Sequence, residues 1–399
     1  MDHVDPDGLH DPVFDADNHY YEALDAFTRH LDPALGPRVI QWAEVNGRRY
    51  HVLGGRISRA VANPTFDPIA MPGALYDYFR GNPDHQNPLE LLGQREAIRP
   101  AYRHPSDRIA TLDEQGLAGC FLFPTLGMIY EEPLSADPEA VCHLFGAFNR
   151  WLADDWPFVY EDRIFTAPYL TLADPAWAVE ELHWALDQGA RLVVMRPAAP
   201  QTALGRRSPF DPLFDGFWHL ANEAGITVVV HAGDSGVSSN GYAADGGFAA
   251  TFSGAWKPSI KSFAIEQAIR DYLLSAIFDR LFDRFPNLRI ASVENGAEYL
   301  PDLIAKVRST ARKMPGYWTE DPVATFREHV WINPFWEDDV YTVVECMGAD
   351  RVIFGSDWPH IEALPDPRAY VREVKDLAPE DQRKVLFDNA QELLTLRPT

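Results

Sequence analysis

The chain has 399 residues, 46% hydrophobic and 24% charged, which suffices for one large or two average domains with a sizeable core. Its formal net charge of −24 argues against general affinity for nucleic acid or an anionic membrane, so an anionic ligand needs a local basic patch. Cys120, Cys142 and Cys346 are widely spaced, the acidic start MDHVDPDGLH lacks an apolar signal core, and no apolar run approaches the ~20 residues of a membrane span, which together predict a reduced, cytoplasmic protein.

Taken in chain order, the first predicted strand is Val13–His19, within FDADNHYYE. A stretch from about 30 to 103, rich in Pro, Gly and Arg, then interrupts the pattern as an insertion. Strands follow at Leu117–Pro124, Phe165–Thr171 and Arg191–Pro197. Asp174-Pro175 and Asp211-Pro212 each pair an N-cap residue with a first-turn proline and predict helix starts. Gly189 and Gly225 precede strands, where a left-handed helix cap is wanted. The fifth strand, Ile226–Ala232, leads into a Gly/Ser/Ala-rich, lid-like loop at about 233–259. Leu288–Glu294, Val330–Phe335 and Val352–Asp357 complete the set. Several runs, such as ITVVVH and RLVVMRP, are apolar on both faces, as a parallel sheet covered by helices requires. The alternation predicts an α/β fold: a single-domain (β/α)8 TIM barrel over 1–399, with an insertion after strand 1 and a long loop after strand 5. A doubly wound open sheet is the alternative, but no G-x-G-x-x-G follows an early strand.

Asp17 and His19 lie two apart in a strand and so share a face. His231 ends a run of valines, where an imidazole is costly unless its nitrogens find partners. Glu294 ends the sixth strand and Asp357 the eighth, where a buried carboxylate needs a cation or several donors. Each has an ordinary alternative: a turn Asp, a core His bonded to a carbonyl, a helix-start Glu, an Asp capping a turn. In a parallel barrel, however, strand C-termini converge on one mouth, and here four strands bring His, Asp or Glu to it. That joint placement predicts a metal site formed by Asp17, His19, His231, Glu294 and Asp357.

FDADNHYYE, VVVHAG and FGSDWPH make the chain resemble the amidohydrolase superfamily, in the branch that includes aminocarboxymuconate-semialdehyde decarboxylase. The resemblance implies His19 and His231 as metal ligands and Asp357 as ligand or general base. Asp17 stands where the family has its first strand-one His, and Glu294 where it has a strand-six His. Strand four has no lysine, so the bridging carbamate of some binuclear relatives cannot form; Glu294 offers a bridging carboxylate instead, giving one or two ions. The donor mixture suits Fe, Mn or Zn.

Around this centre, Arg196 is a candidate clamp for a carboxylate or an oxyanion, with a salt bridge to one of the acidic metal ligands as the even alternative. His360 is read as a catalytic or second-metal residue, Glu22 as an orienter of His19, and Asn18, Asn333 and Trp256 as residues of the mouth. Arg38, Arg48, Arg49, Arg56 and Arg59 in the insertion, with Arg206 and Arg207, reverse the overall charge locally. They suggest an anionic group received nearby or an acidic partner subunit, the latter in a homo-oligomer such as a dimer. Because Glu294 replaces the strand-six His, the first functional expectation is a metal-dependent hydrolase of an amide, ester, lactone or thioester (a coenzyme A thioester included), using a metal-activated water. The alternatives are a non-oxidative decarboxylase or hydratase of an aromatic or unsaturated acid, and a non-catalytic binding barrel. The partner in each case is a small molecule, not nucleic acid or membrane.

Overall fold

Short apolar and β-branched runs form the strands of the computed structural model, which describes residues 12–236 and 260–398. The principal strands are β1 (Phe14–Tyr20), β2 (Gly119–Pro124), β3 (Ile164–Thr166), β4 (Leu192–Met195), β5 (Thr227–His231), β6 (Arg289–Val293) and β7 (Val330–Ile332). Every residue in them is buried, as expected for parallel strands covered on both faces. β1, β2 and β3 pair in parallel in one sheet, and β4 to β7 in a second.

Parallel bridges join the two sheets at both ends. Tyr169 pairs with Val194, Ile332 with Val352, and Trp358 with Asn18. The segment 352–358, expected as the eighth strand, therefore lies between β7 and β1 without forming a regular ladder. The physical reason is local. Ser356 donates its backbone N–H to the side-chain carboxylate of Asp15 in β1 (2.9 Å) instead of to a backbone carbonyl, and Asp357 takes a left-handed φ of 60°. Hydrogen bonding still passes from each strand to the next and back to β1, where His19 N–H meets Trp358 O at 2.8 Å. The C-terminal ends of the strands consequently face one way.

Helices alternate with these strands: α1 (Pro105–Gln115), α2 (Gly127–Leu134), α3 (Pro138–Asp155), α4 (Pro175–Asp187), α5 (Asp215–Ala224), α6 (Ala264–Phe278) and α7 (Leu300–Lys313). Asp174 caps α4, accepting from Ala176 and Trp177 N–H with Pro175 at the first position. Asp211 caps a short 3-10 turn that runs into α5. Gly225 ends α5 at φ 58°, and a Cβ there would lie 2.3 Å from the Arg397 carbonyl oxygen, so only glycine fits.

The insertion contains a three-stranded antiparallel sheet, Ile40–Val45, Arg48–Leu53 and Arg56–Ile57, that the sequence reading did not anticipate. Its signal was present: Asn46-Gly47, both at positive φ, links two alternating runs in the manner of a type I′ hairpin. His51 faces α2, where its Nδ1 lies 2.8 Å from the Tyr130 hydroxyl. Further along, Gly73 N–H bonds His360 O (3.0 Å) and Leu75 N–H bonds Ile361 O (2.9 Å), so the insertion lies against the chain that leaves the 352–358 segment. Among the described residues, no helix is long and apolar enough to cross a membrane.

Candidate metal centre

Strand alternation turns Asp17 and His19 to the same side of β1, and the parallel register carries His231 and Glu294 beside them at the ends of β5 and β6. His19 Nε2 lies 3.3 Å from Asp17 Oδ1, 3.4 Å from Asp357 Oδ1 and 3.6 Å from Glu294 Oε2. His231 Nε2 lies 3.3 Å from the same Asp17 oxygen and 3.2 Å from the same Glu294 oxygen. Donors held at about 2.0–2.2 Å from one ion stand roughly 3.0–3.5 Å apart in octahedral or tetrahedral geometry. The donor atoms fall into two overlapping sets with such spacing, Asp17, His19, His231 and Glu294 in one and His19, Glu294, Asp357 and His360 in the other.

The imidazoles are prepared for that task. His19 donates Nδ1–H to Pro124 O (3.2 Å) and His231 donates Nδ1–H to Ala232 O (2.9 Å), which leaves both Nε2 lone pairs directed into the cluster. His19 Nε2 and Asp357 Oδ2 are buried and have no hydrogen-bond partner. Three carboxylates face three imidazoles here, so with the imidazoles neutral the donor set carries a negative excess that a divalent cation would balance. Burial opposes protonation of His19, yet Asp17 and Glu294 prevail and hold its pKa at about 9. Burial likewise opposes ionisation of Asp17, but the adjoining His19 and His231 keep it below the usual carboxylate range. Burial, reinforced by Glu294 and Glu362, pushes Asp357 well above that range.

Glu294 and Asp357 both adopt left-handed backbone, φ 55° and 60°, which costs roughly 1–2 kcal/mol in a non-glycine residue. The strain falls at the two carboxylates that close the cluster from β6 and from segment 352–358. Asn333, just after β7, steadies them: its side-chain oxygen accepts from Glu294 N–H (3.2 Å) and its amide donates to Pro334 O (3.0 Å). Its role is thus to hold a ligand-bearing backbone. His360 packs against His19 with ring centres 4.0 Å apart, places Nδ1 2.5 Å from Asp357 Oδ1, and sets Nε2 3.0 Å from Thr125 Oγ1.

Three sequence expectations change. Arg196 is committed elsewhere: Nη2 bonds Glu131 (3.3 Å), Nη1 bonds Glu132 (2.8 Å), and Nη1 also meets the Asp234 carbonyl. Both glutamates come from α2 and neither belongs to the cluster, so Arg196 is neither a substrate clamp nor bound to an acidic metal ligand; both of its terminal nitrogens are taken up by this pairing. Glu22 does not orient His19; its Oε1 accepts from Leu126 and Gly127 N–H at 2.7 and 3.0 Å and holds the start of α2. Asn18 points away from the cluster, donating to Asp15 (2.8 Å) and accepting from Arg108. Trp256 lies outside the described residues, as does most of the 233–259 loop.

Sequence reasoning missed Arg108 and Asp15. Arg108, fully buried in α1, donates Nε–H to Ala101 O (2.7 Å) and Nη2–H to His19 O (2.6 Å), and lies over the Trp358 ring at 4.8 Å. Asp15 accepts from Asp17 N–H, Asn18, Ser356 N–H and the Ser356 hydroxyl, tying β1 to segment 352–358. The acidic Asp15 inside the FDAD run was the visible signal; an arginine in a helix carried none.

The family model for amidohydrolases matches residues 120–396. An amidohydrolase structure from Mycobacterium avium subsp. paratuberculosis K-10 is 40% identical, covers 97% of this chain and 100% of its own, and superposes with a TM-score of 0.88. A 5-carboxyvanillate decarboxylase from Novosphingobium aromaticivorans DSM 12444, complexed with manganese and 4-hydroxy-3-methoxy-5-nitrobenzoic acid, is 16% identical, covers 96% of each chain and gives a TM-score of 0.61, a likeness of fold. Among curated proteins, 2-amino-3-carboxymuconate-6-semialdehyde decarboxylase of Dictyostelium discoideum is 24% identical over 148 residues, 36% of this chain and only 40% of the relative's length.

Proposed function

The chain belongs to the amidohydrolase family, and from that premise we propose that it is a metal-dependent, non-oxidative decarboxylase of a small aromatic or unsaturated acid, holding one divalent ion. On this reading the circuit of parallel strands is a (β/α)8 barrel and the cluster sits at its mouth. The observation that carries the proposal is the pair of buried, unpartnered atoms, His19 Nε2 and Asp357 Oδ2, within two overlapping donor sets. Asp17, His19, His231 and Glu294 are the ligands of the ion, and Asp357 stands beside them with His360 in the second set. The manganese in the carboxyvanillate decarboxylase supports Mn, and the same donors accept Fe or Zn.

The ion, when bound, supplies Lewis acidity that anchors the substrate's oxyanion and draws off electron density. The residues supply the proton chemistry. Decarboxylation breaks the carbon–carbon bond to the carboxylate, releases carbon dioxide, and needs one proton at the carbon left behind. Asp357 Oδ1 and His360 Nδ1 hold a proton between them across 2.5 Å, and Thr125 continues the path from His360 Nε2. In the metal-free protein, burial of Asp357 favours its protonated form.

Hydrolysis of a carboxylic-acid derivative is the second reading, favoured by Glu294, a carboxylate facing the cluster from β6. The two separate in one experiment. Manganese-loaded protein is incubated with hydroxybenzoates, carboxyvanillate-like acids, aryl esters and lactones, in water and in deuterium oxide. Decarboxylation predicts carbon dioxide and deuterium at the vacated carbon. Free acid from an ester or lactone, without carbon dioxide, would establish hydrolysis instead, and inactivity of the loaded protein on every class would favour a binding role.

A further inference from the structure

Four of the five arginines that reverse the charge of the insertion fall into two groups, with Arg56 in neither. Arg38 is paired with Asp137 (2.6 Å) and Glu139 (2.7 Å), and Arg49 lies over the Trp42 ring at 4.6 Å. Arg48 and Arg59 are exposed and have no ion-pair partner among the described residues. Instead they line a cavity of about 380 Å³ together with Val45, Asn46, Tyr50 and Ile57.

The register explains how these side chains meet. In the hairpin Val45 stands opposite Arg48 and Val52 opposite Ile57, and alternation sets Arg48, Tyr50 and Val52 on one face, opposite to His51. His51 looks towards α2, so the cavity opens on the outer face of the sheet, away from the metal cluster. No carboxylate lines it. In a chain with 59 acidic and 35 basic residues, two guanidiniums sharing an acid-free cavity set up a local positive field against the prevailing charge.

We infer that this cavity is a second ligand site, separate from the metal centre, for a small organic oxyanion with a flat or apolar body. The carboxylate or phosphate group would lie between Arg48 and Arg59, whose planar forks match either geometry. The body would pack on Tyr50, Ile57 and Val45.

Calorimetric titration at low salt tests this with benzoate, phenyl phosphate and inorganic phosphate as probes, on full-length protein. Binding by wild type and by Asp17→Asn, with at least about tenfold weakening in Arg48→Ala/Arg59→Ala, is expected; these exposed positions leave folding and manganese content unchanged. Tyr50→Ala should weaken phenyl phosphate more than inorganic phosphate, and the stronger of benzoate and phenyl phosphate identifies the head group. Equal affinity in the double arginine variant, or loss of binding in Asp17→Asn, would overturn the inference. So would dissociation of an oligomer by Arg48→Ala/Arg59→Ala in sedimentation, which would assign the arginines to a contact between copies of the chain.

Discussion

Arg196, at the end of β4, and His231, at the end of β5, each anchor a buried cluster of charged residues drawn from several elements, and the two clusters are finished differently. Around Arg196, the carboxylates of Glu131 and Glu132 are matched by the guanidinium, by Arg206 (2.7 Å), by the Tyr169 hydroxyl (2.7 Å) and by Thr171 (3.0 Å). Opposite charges and donors meet within the protein, and α2 is thereby fastened to β4. Around His231, three carboxylates meet three imidazoles, Glu294 and Asp357 sit on left-handed backbone, and His19 Nε2 and Asp357 Oδ2 are left without partners. Arg196 Nε lacks a partner too, so what separates the clusters is charge: guanidiniums match both carboxylates of the first, while those of the second meet only imidazoles.

The contrast can be broken most severely at the Arg196 cluster. Arg196→Met leaves Glu131 buried without its cation and Glu132 with Arg206 alone, and should cost about 3–5 kcal/mol by denaturant unfolding, equally with and without manganese. At the His231 cluster the opposite sign is expected: Glu294→Gln removes a negative charge from an excess, so the metal-free protein should gain stability while manganese affinity falls at least tenfold. A destabilised metal-free Glu294→Gln protein would erase the distinction. Arg108→Lys probes the support behind the ligands. It should lower manganese affinity by about 10–100-fold through the loosened His19 backbone, with far-ultraviolet circular dichroism unchanged.

The mildest test is pH. Burial raises Glu22, Glu337 and Asp338 to about 7, with neighbouring Glu337 adding to the effect on Asp338. A carboxyl with a raised folded pKa keeps a proton that the unfolded chain has already released. Stability from these groups is therefore greatest below the unfolded values and lost as pH rises through about 7. The midpoint of thermal unfolding of metal-free protein should fall between pH 5 and pH 8, and a rise would contradict this assignment.

Much of the metal cluster was legible because strand ends write their chemistry in short words: DADNH, VVVH, SVEN and GSD each place a ligand at the end of an apolar run. The strands themselves were legible for the same reason, except segment 352–358, where Asp15 captures a backbone donor from a distant part of the sequence. The roles of Arg196 and Glu22 were not legible, since both are settled by α2, whose Glu131, Glu132, Leu126 and Gly127 approach only in the fold. Arg108 was hidden more deeply. Nothing in a helix sequence marks an arginine that will be wholly buried against a carbonyl of β1. The insertion sheet, by contrast, was announced by Asn46-Gly47 and went unread.

Titration of manganese into metal-free protein, followed by the paramagnetic resonance of the free ion, tests the central claim most directly. One ion taken up per chain, abolished by His231→Ala in a protein that remains folded, is the predicted result. No uptake, uptake unaffected by that substitution, or two coupled ions per chain would contradict a single-ion centre built from Asp17, His19, His231 and Glu294.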